Sequence, residues 1–145
     1  MTAVDNAGKL DFLRSLGADA VVDHRVEDVT RLGPFDLVLD LVAHRSVRDY
    51  RRALAPGGRY LAVGGSVSTM LSLLTAGTVL GRVSGRRLGV LAVKPGPDHF
   101  IPLEARCASG EVRIHIDREV SLDEVPEALA SVGDGRALGK VVVTP

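Results

Sequence analysis

The chain has 145 residues, 46% hydrophobic and 25% charged, which is the length and balance of one soluble globular domain with a core and excludes a disordered tail. Lysine plus arginine equals aspartate plus glutamate at 18 each, so no net field draws nucleic acid or an anionic membrane to it. The single Cys107 excludes an internal disulfide, and with four scattered histidines it cannot seed a Cys/His zinc cluster.

A reducing, cytoplasmic setting follows as the expectation, with no metal, no nucleic-acid partner and no membrane partner. The most apolar stretch, residues 70–80, is interrupted by Ser72, Thr75 and Thr78 and is shorter than the roughly 20 residues that span a bilayer. At the N-terminus no basic segment leads into an apolar one, the pattern of a signal peptide.

In chain order, Thr2 to Asp5 reads as a short apolar strand ending in an acid. Asn6 then caps a helix carrying Leu10, Phe12, Leu13 and Leu16, and Gly17 stops it. Ala20 to Asp23 is the next strand, followed by a polar helical turn over 27–31. Residues 35–42 are nearly continuously hydrophobic, which predicts a strand buried on both faces and favours a parallel sheet. Ser46 with Asp49 resembles a capping box opening a helix to Leu54. Pro56, Gly57 and Gly58 end that helix before a strand over 59–63.

Gly64 and Gly65 open the chain again, and residues 68–80 are apolar most of the way round, as in a helix buried against sheet or partner. A strand over 87–93 follows, and Pro95, Gly96 and Pro97 break the chain before a helix over 99–109 closed by Gly110. Residues 113–120 are extended. Ser121 and Glu124 form a second capping box for a helix with Leu122, Val125, Leu129 and Val132 on one face, ended by Gly133 and Gly135. Pro126 removes one early donor from that helix, and residues 140–144 are the last strand. Such alternation is the signature of an α/β, doubly wound, mainly parallel sheet, read here as one partial domain over residues 1–145.

The succession LRSLGAD at 13–19, VVDH at 21–24, FDLVLD at 35–40, LAPGG at 54–58 and VGG at 63–65 resembles the medium-chain dehydrogenase/reductase family of zinc-containing alcohol dehydrogenases and quinone oxidoreductases. SGE at 109–111, VSLDE at 120–124, EAL at 127–129 and GKVVV at 139–143 look like the closing helix and strand of the same enzymes. On this resemblance the fold is Rossmann-like, and Thr2 to Asp5 is its second strand rather than its first. The first strand and the G-x-G-x-x-G turn that holds a pyrophosphate have no counterpart in the sequence, and neither does the catalytic domain. Two ways to close the gap follow: Val4's strand pairs directly with Val38's strand, or the gap is filled from elsewhere.

The resemblance also implies site residues. Asp5 sits where an acid can hydrogen-bond an adenosine ribose, and Lys9 is near enough to meet a phosphate instead. Asp5 alternatively belongs to a helix N-cap, so NAD and NADP both stay open. Leu41, Val42 and Ala43 fall at the carboxyl edge of the sheet and would flank the adenosine side, or are a plain strand end. Gly64 and Gly65 would lie near the nicotinamide ribose, where a missing Cβ permits close approach, or simply form a turn. Val90, Leu91 and Ala92 belong to a strand that approaches the nicotinamide amide and whose edge pairs across a dimer. Lys140 can reach a phosphate or be an exposed strand end.

His24, His44, His99 and His115 stand at no ligand spacing on a common helix and read as surface or loop residues. Cys107, beside Ala105 and Ala108, reads as a buried inert thiol. Arg45, Arg48, Arg51 and Arg52 read as a solvated helix face. No catalytic residue is assigned. The expected function is the nucleotide-binding portion of an oxidoreductase that moves a hydride between NAD(P)H and a carbonyl, enone or quinone, inactive in isolation and homodimeric. The alternative is a non-catalytic dimerising or scaffold module derived from that fold.

Overall fold

The computed structural model describes residues 1–92 and 96–145, apart from the side chain of His99. Strand β1 (Thr2–Asp5), helix α1 (Leu10–Ser15) and strand β2 (Ala20–Asp23) come first. Strand β3 (Phe35–Asp40), helix α2 (Val47–Ala53) and strand β4 (Leu54–Ala62) follow, then helices α3 (Val67–Ser72) and α4 (Thr78–Val83) with a π-helical turn, Leu73–Gly77, between them. Strand β5 (Arg87–Val90), helix α5 (Pro97–Ala108), strand β6 (Ile116–Val120), helix α6 (Val125–Gly133) and strand β7 (Lys140–Val143) complete the order. The chain groups into two compact units, Met1–Asp23 with Lys94–Pro145, and His24–Val93.

In the first unit β1 pairs with β2 and β6 with β7, both parallel. Asn6 works as the sequence suggests: its side chain accepts from the Gly8 N–H at 3.1 Å and starts a 3-10 turn that leads into α1. Its amide also donates to the Gly135 carbonyl at 3.3 Å, fastening the end of β1 to the turn after α6. Phe12 of α1 packs on the His115 ring with centroids 4.6 Å apart. The second capping box is present, with the Glu124 carboxylate taking the Ser121 N–H at 2.8 Å. That bond holds Glu124 below the usual carboxylate range. Cys107 is half-buried in α5 rather than fully buried, and the other described side chains of that helix are exposed.

The second unit is a three-stranded parallel sheet in the order β3-β4-β5. Its core is Ala43, Val47, Tyr50, Leu54, Tyr60, Ala62, Leu73 and Leu88, with Val38, Leu80 and Val90 packed against it. These strand residues alternate, so α2 and the α3–α4 segment cover one face. The expectation that residues 35–42 are buried on both faces fails: Leu37 is 60% and Leu39 55% exposed. They point away from the helices of this unit. The hydrogen-bonded sheets among the described residues are β1-β2, β3-β4-β5 and β6-β7.

Three boundaries move for identifiable reasons. β4 begins at Leu54, not at residue 59: Phe35 pairs with Leu54 and Leu37 with Arg59, so the strand runs through a bulge instead of stopping at the glycines. Gly57 has φ +78°, and a Cβ on Gly58 would meet the Ala55 and Phe35 carbonyl oxygens at 2.9 Å. The helix expected over 68–80 runs from Val67 to Val83 through the π turn. Leu73, Gly77 and Gly81 lie buried on its inner side, whereas Leu71, Leu74, Val79 and Val83 are exposed. β5 ends at Val90, and Val93, with which the expected strand ended, lies outside the described residues.

Candidate functional site

The three strands of the second unit end in register, Asp40 opposite Ala62 and Ala62 opposite Val90. The carboxyl edge of a parallel sheet is where ligands bind in open α/β folds, and four of the expected site residues, Val42, Gly64, Gly65 and Leu91, lie along it. Past the last ladder pair the chain segments remain tied. Val63 N–H donates to Asp40 O at 2.8 Å, Ala43 N–H to Gly64 O at 2.8 Å, and Leu91 N–H to Ala62 O at 2.8 Å. Ala43 and Gly65 form a further parallel bridge. Leu41, Val42, Val63 and Leu91 are exposed on this rim, Val42 to 70%.

Both glycines are required by the chain itself. A Cβ on Gly64 would lie 2.8 Å from Leu41 O; one on Gly65 would lie 2.2 Å from Ala43 O and 3.0 Å from Met70 Cε, and Gly65 has φ +148°. Close approach is therefore real, but the approaching group is the neighbouring strand end.

Residues 41–45 are held by a pair of tyrosines that the sequence reading did not single out. α2 starts at its N-cap Ser46, whose hydroxyl accepts from the Asp49 N–H, and the helix carries Tyr50 back under the preceding loop. The Tyr50 hydroxyl accepts the N–H groups of His44 and Arg45 at 2.8 and 2.7 Å. Its ring stacks on Tyr60 of β4 at 4.0 Å and 22°. Tyr60 donates to Asp40 Oδ2 at 2.7 Å, and Asp40 Oδ1 accepts the Val42 N–H at 3.0 Å. Burial raises the Tyr60 phenol above the ordinary tyrosine range, and its hydrogen bonds with Tyr50 and Asp40 raise it further. Burial also raises Tyr50. One signal was available: these are the only tyrosines in the chain, and Tyr60 shares the inward face of its strand with Ala62.

In the first unit Asp5 and Lys9 come together. Asp5 Oδ1 accepts from Asn6 N at 2.8 Å and from Asn6 Nδ2 at 3.1 Å, and Lys9 Nζ lies 3.7 Å from Asp5 Oδ2. Asp5 thus also holds Asn6, the N-cap of the following helical turn. Of the four arginines, Arg45 reaches Asp28 at 2.9 Å and Arg52 reaches Asp49 at 3.1 Å. His24, His44 and His115 are exposed, and the side chain of His99 lies outside the described residues.

Residues 16–143 match the family model described as "Zinc-binding dehydrogenase". The chain belongs to the zinc-binding dehydrogenases, within the medium-chain dehydrogenase/reductase family. Similar members include a chloroplastic quinone-oxidoreductase of Triphysaria versicolor, 29% identical over all of this chain and 45% of that protein. A 2-methylene-furan-3-one reductase of Solanum lycopersicum is 31% identical over all of this chain and 33% of its own length. Among solved structures, the quinone oxidoreductase of Coxiella burnetii matches at TM-score 0.80 and 22% identity over 99% of this chain and 44% of that one. The alcohol dehydrogenase of Aeropyrum pernix matches at TM-score 0.79 and 25% identity over 99% and 42%. This zinc-binding dehydrogenase chain therefore has the Rossmann-like α/β fold of its family, and it spans less than half the length of the relatives it matches.

Zinc does not fit the residues present. Among the described residues no group of three histidine, cysteine, aspartate or glutamate side chains could hold a metal ion, whereas a protein zinc site needs three or four. The dinucleotide fits in part. The exposed apolar rim suits flat ring and sugar surfaces, but the N–H groups of Val42, Ala43, His44 and Arg45 are all taken by protein acceptors. Residues 42–45 therefore have no N–H left for a phosphate.

Proposed function

We propose that this chain is the nucleotide-binding portion of an NAD(P)H-dependent oxidoreductase of the alcohol dehydrogenase and quinone reductase type. The observation that carries the reading is the family match over residues 16–143. Relatives named as a quinone oxidoreductase and a furanone reductase support a carbonyl, enone or quinone substrate. When bound, the nicotinamide supplies the hydride chemistry. This chain's share is positioning: Val42, Gly64, Gly65 and Leu91 at the sheet rim, and Asp5 with Lys9 beside the end of β1, on the ribose or phosphate side. The whole of residues 1–145 works as one partial dinucleotide-binding domain.

Two finer points belong to the same reading. β5 is the edge strand of its sheet and offers unpaired backbone groups to a second copy, which favours a homodimer. Among the described residues no helix is long and apolar enough to cross a membrane, and the half-buried Cys107 suits a reducing, cytoplasmic setting.

The isolated chain should turn over no substrate and bind NADH or NADPH no tighter than about 1 mM, a free energy near −4 kcal/mol, because the G-x-G-x-x-G turn that holds a pyrophosphate has no counterpart in its sequence. Titration calorimetry with both dinucleotides tests this, and binding in the micromolar range would overturn the expected weakness. Light scattering at high concentration that finds only monomer counts against the dimer.

A further inference from the structure

We infer that Tyr50 is a positioning residue, whose hydroxyl locks residues 41–45 into the single conformation in which Val42 is offered to the dinucleotide. The ligand half of this statement rests on the proposed function; the lock itself does not. Four consecutive N–H groups are anchored in this loop by three different partners. Val42 N–H goes to Asp40, Ala43 N–H to Gly64 O, and those of His44 and Arg45 both go to Tyr50. Tyr50 thus closes the half of the loop that no backbone acceptor reaches.

The remainder of the network fixes Tyr50. The stack on Tyr60 sets the plane of its ring, and Tyr60 is itself tied to Asp40, the residue that anchors the other half of the loop. Tyr50 is 4% exposed, so water cannot readily replace its oxygen as acceptor. His44 Nδ1 also lies 3.0 Å from Val42 O, so a shift of His44 would disturb the carbonyl beside the exposed Val42 side chain. Held this way, the loop turns two apolar side chains outward with no free N–H among residues 42–45. It is shaped for an uncharged surface of the ligand and not for its phosphates.

The test uses the full chain and two variants that keep the aromatic rings, Tyr50→Phe and Tyr60→Phe, with amide exchange and NADH titration followed by NMR. In Tyr50→Phe the His44 and Arg45 amides should exchange about tenfold faster or more, the effect of losing one ordinary hydrogen bond each, while amides in β4 and β5 stay protected. Tyr60→Phe keeps the ring stack and leaves the Tyr50 acceptor in place but removes the tie to Asp40, so it should change those two amides less than Tyr50→Phe does. NADH should shift the loop signals of the native chain, and Tyr50→Phe should need about five times more NADH for half-saturation, as when a binding-competent conformer falls to a fifth.

Unchanged exchange at His44 and Arg45 in Tyr50→Phe would refute the lock, whatever NADH does. Faster exchange with unchanged half-saturation would refute the positioning role while keeping the lock. Loop signals of the native chain that ignore NADH even well above the millimolar range would refute the cofactor reading, and the positioning role with it, and the exchange result would still judge the lock by itself.

Discussion

Replacing Gly65 with alanine separates two reasons for a glycine at the sheet rim: approach by a bound ligand, or approach by the protein's own backbone. The added Cβ would lie 2.2 Å from Ala43 O, and the residue would be held at φ +148°. A sparsely populated backbone conformation costs about 1–3 kcal/mol, and forcing atoms into a filled site costs about 1–3 kcal/mol more. Gly65→Ala should therefore destabilise the unit by about 2–6 kcal/mol and break the Ala43–Gly65 bridge. Gly57→Ala is the matched control: its φ is +78°, with nothing within 4 Å of the new Cβ. It bears the backbone term alone, roughly 1–2 kcal/mol. Urea unfolding followed by circular dichroism measures both in the same sheet. If Gly65→Ala costs no more than Gly57→Ala, and its only loss is in dinucleotide binding, the ligand explanation stands and the backbone explanation is wrong.

Leu73 is fully buried whereas its neighbour Leu74 is 58% exposed, so Leu73→Ala should cost about 3–5 kcal/mol and Leu74→Ala within about 0.5 kcal/mol; comparable losses in denaturant titration would show the wrong face turned inward. The two tyrosines have raised folded values, so their contribution is present below the unfolded value near 10 and is lost as pH rises through the folded ones. Phenolate absorbance at about 295 nm, which in this tryptophan-free chain reports these two residues only, should appear together with unfolding; a titration at the free-tyrosine value with the fold intact would refute their burial. Glu124 is held low by the Ser121 N–H, so its contribution is present above about pH 4.5 and is lost as pH falls through the depressed folded value. Glu124→Gln should flatten that part of the acid unfolding curve, and an unchanged curve would remove the capping box from the account.

Strands were legible where the sequence meets one constraint at a time. β1, β2 and β3 carry short apolar runs bounded by acids or glycines, and every strand pairing among the described residues is parallel. Capping residues were equally plain: Asn6, Ser46 and Ser121 stand where the structure uses them. What the sequence hid depends on tertiary partners. Pro56, Gly57 and Gly58 look like an end, and they are a bulge only because Phe35 pairs with Leu54 across them. The π turn at Leu73–Gly77 adds a residue to the helical period. Thr75 and Thr78 bond back to the Leu71 and Leu74 carbonyls in that region, and no pattern of apolar residues predicts this.

The site was legible in the same uneven way. Position along the chain placed Val42, Gly64, Gly65 and Leu91 at strand ends, since a strand's last residues follow from its pattern, but it carried no information on which groups their neighbours leave free. That is decided by Tyr50 and Asp40, which take up the N–H groups of Val42, His44 and Arg45. An anion needs N–H donors, and a loop whose donors are already engaged cannot supply them without losing bonds worth about 0.5–1.5 kcal/mol each. A dinucleotide lying against residues 42–45 would therefore meet them with its rings or sugars rather than with its pyrophosphate. The apolar exposure of Leu41 and Val42 and the engagement of the N–H groups beneath them are then two sides of one arrangement.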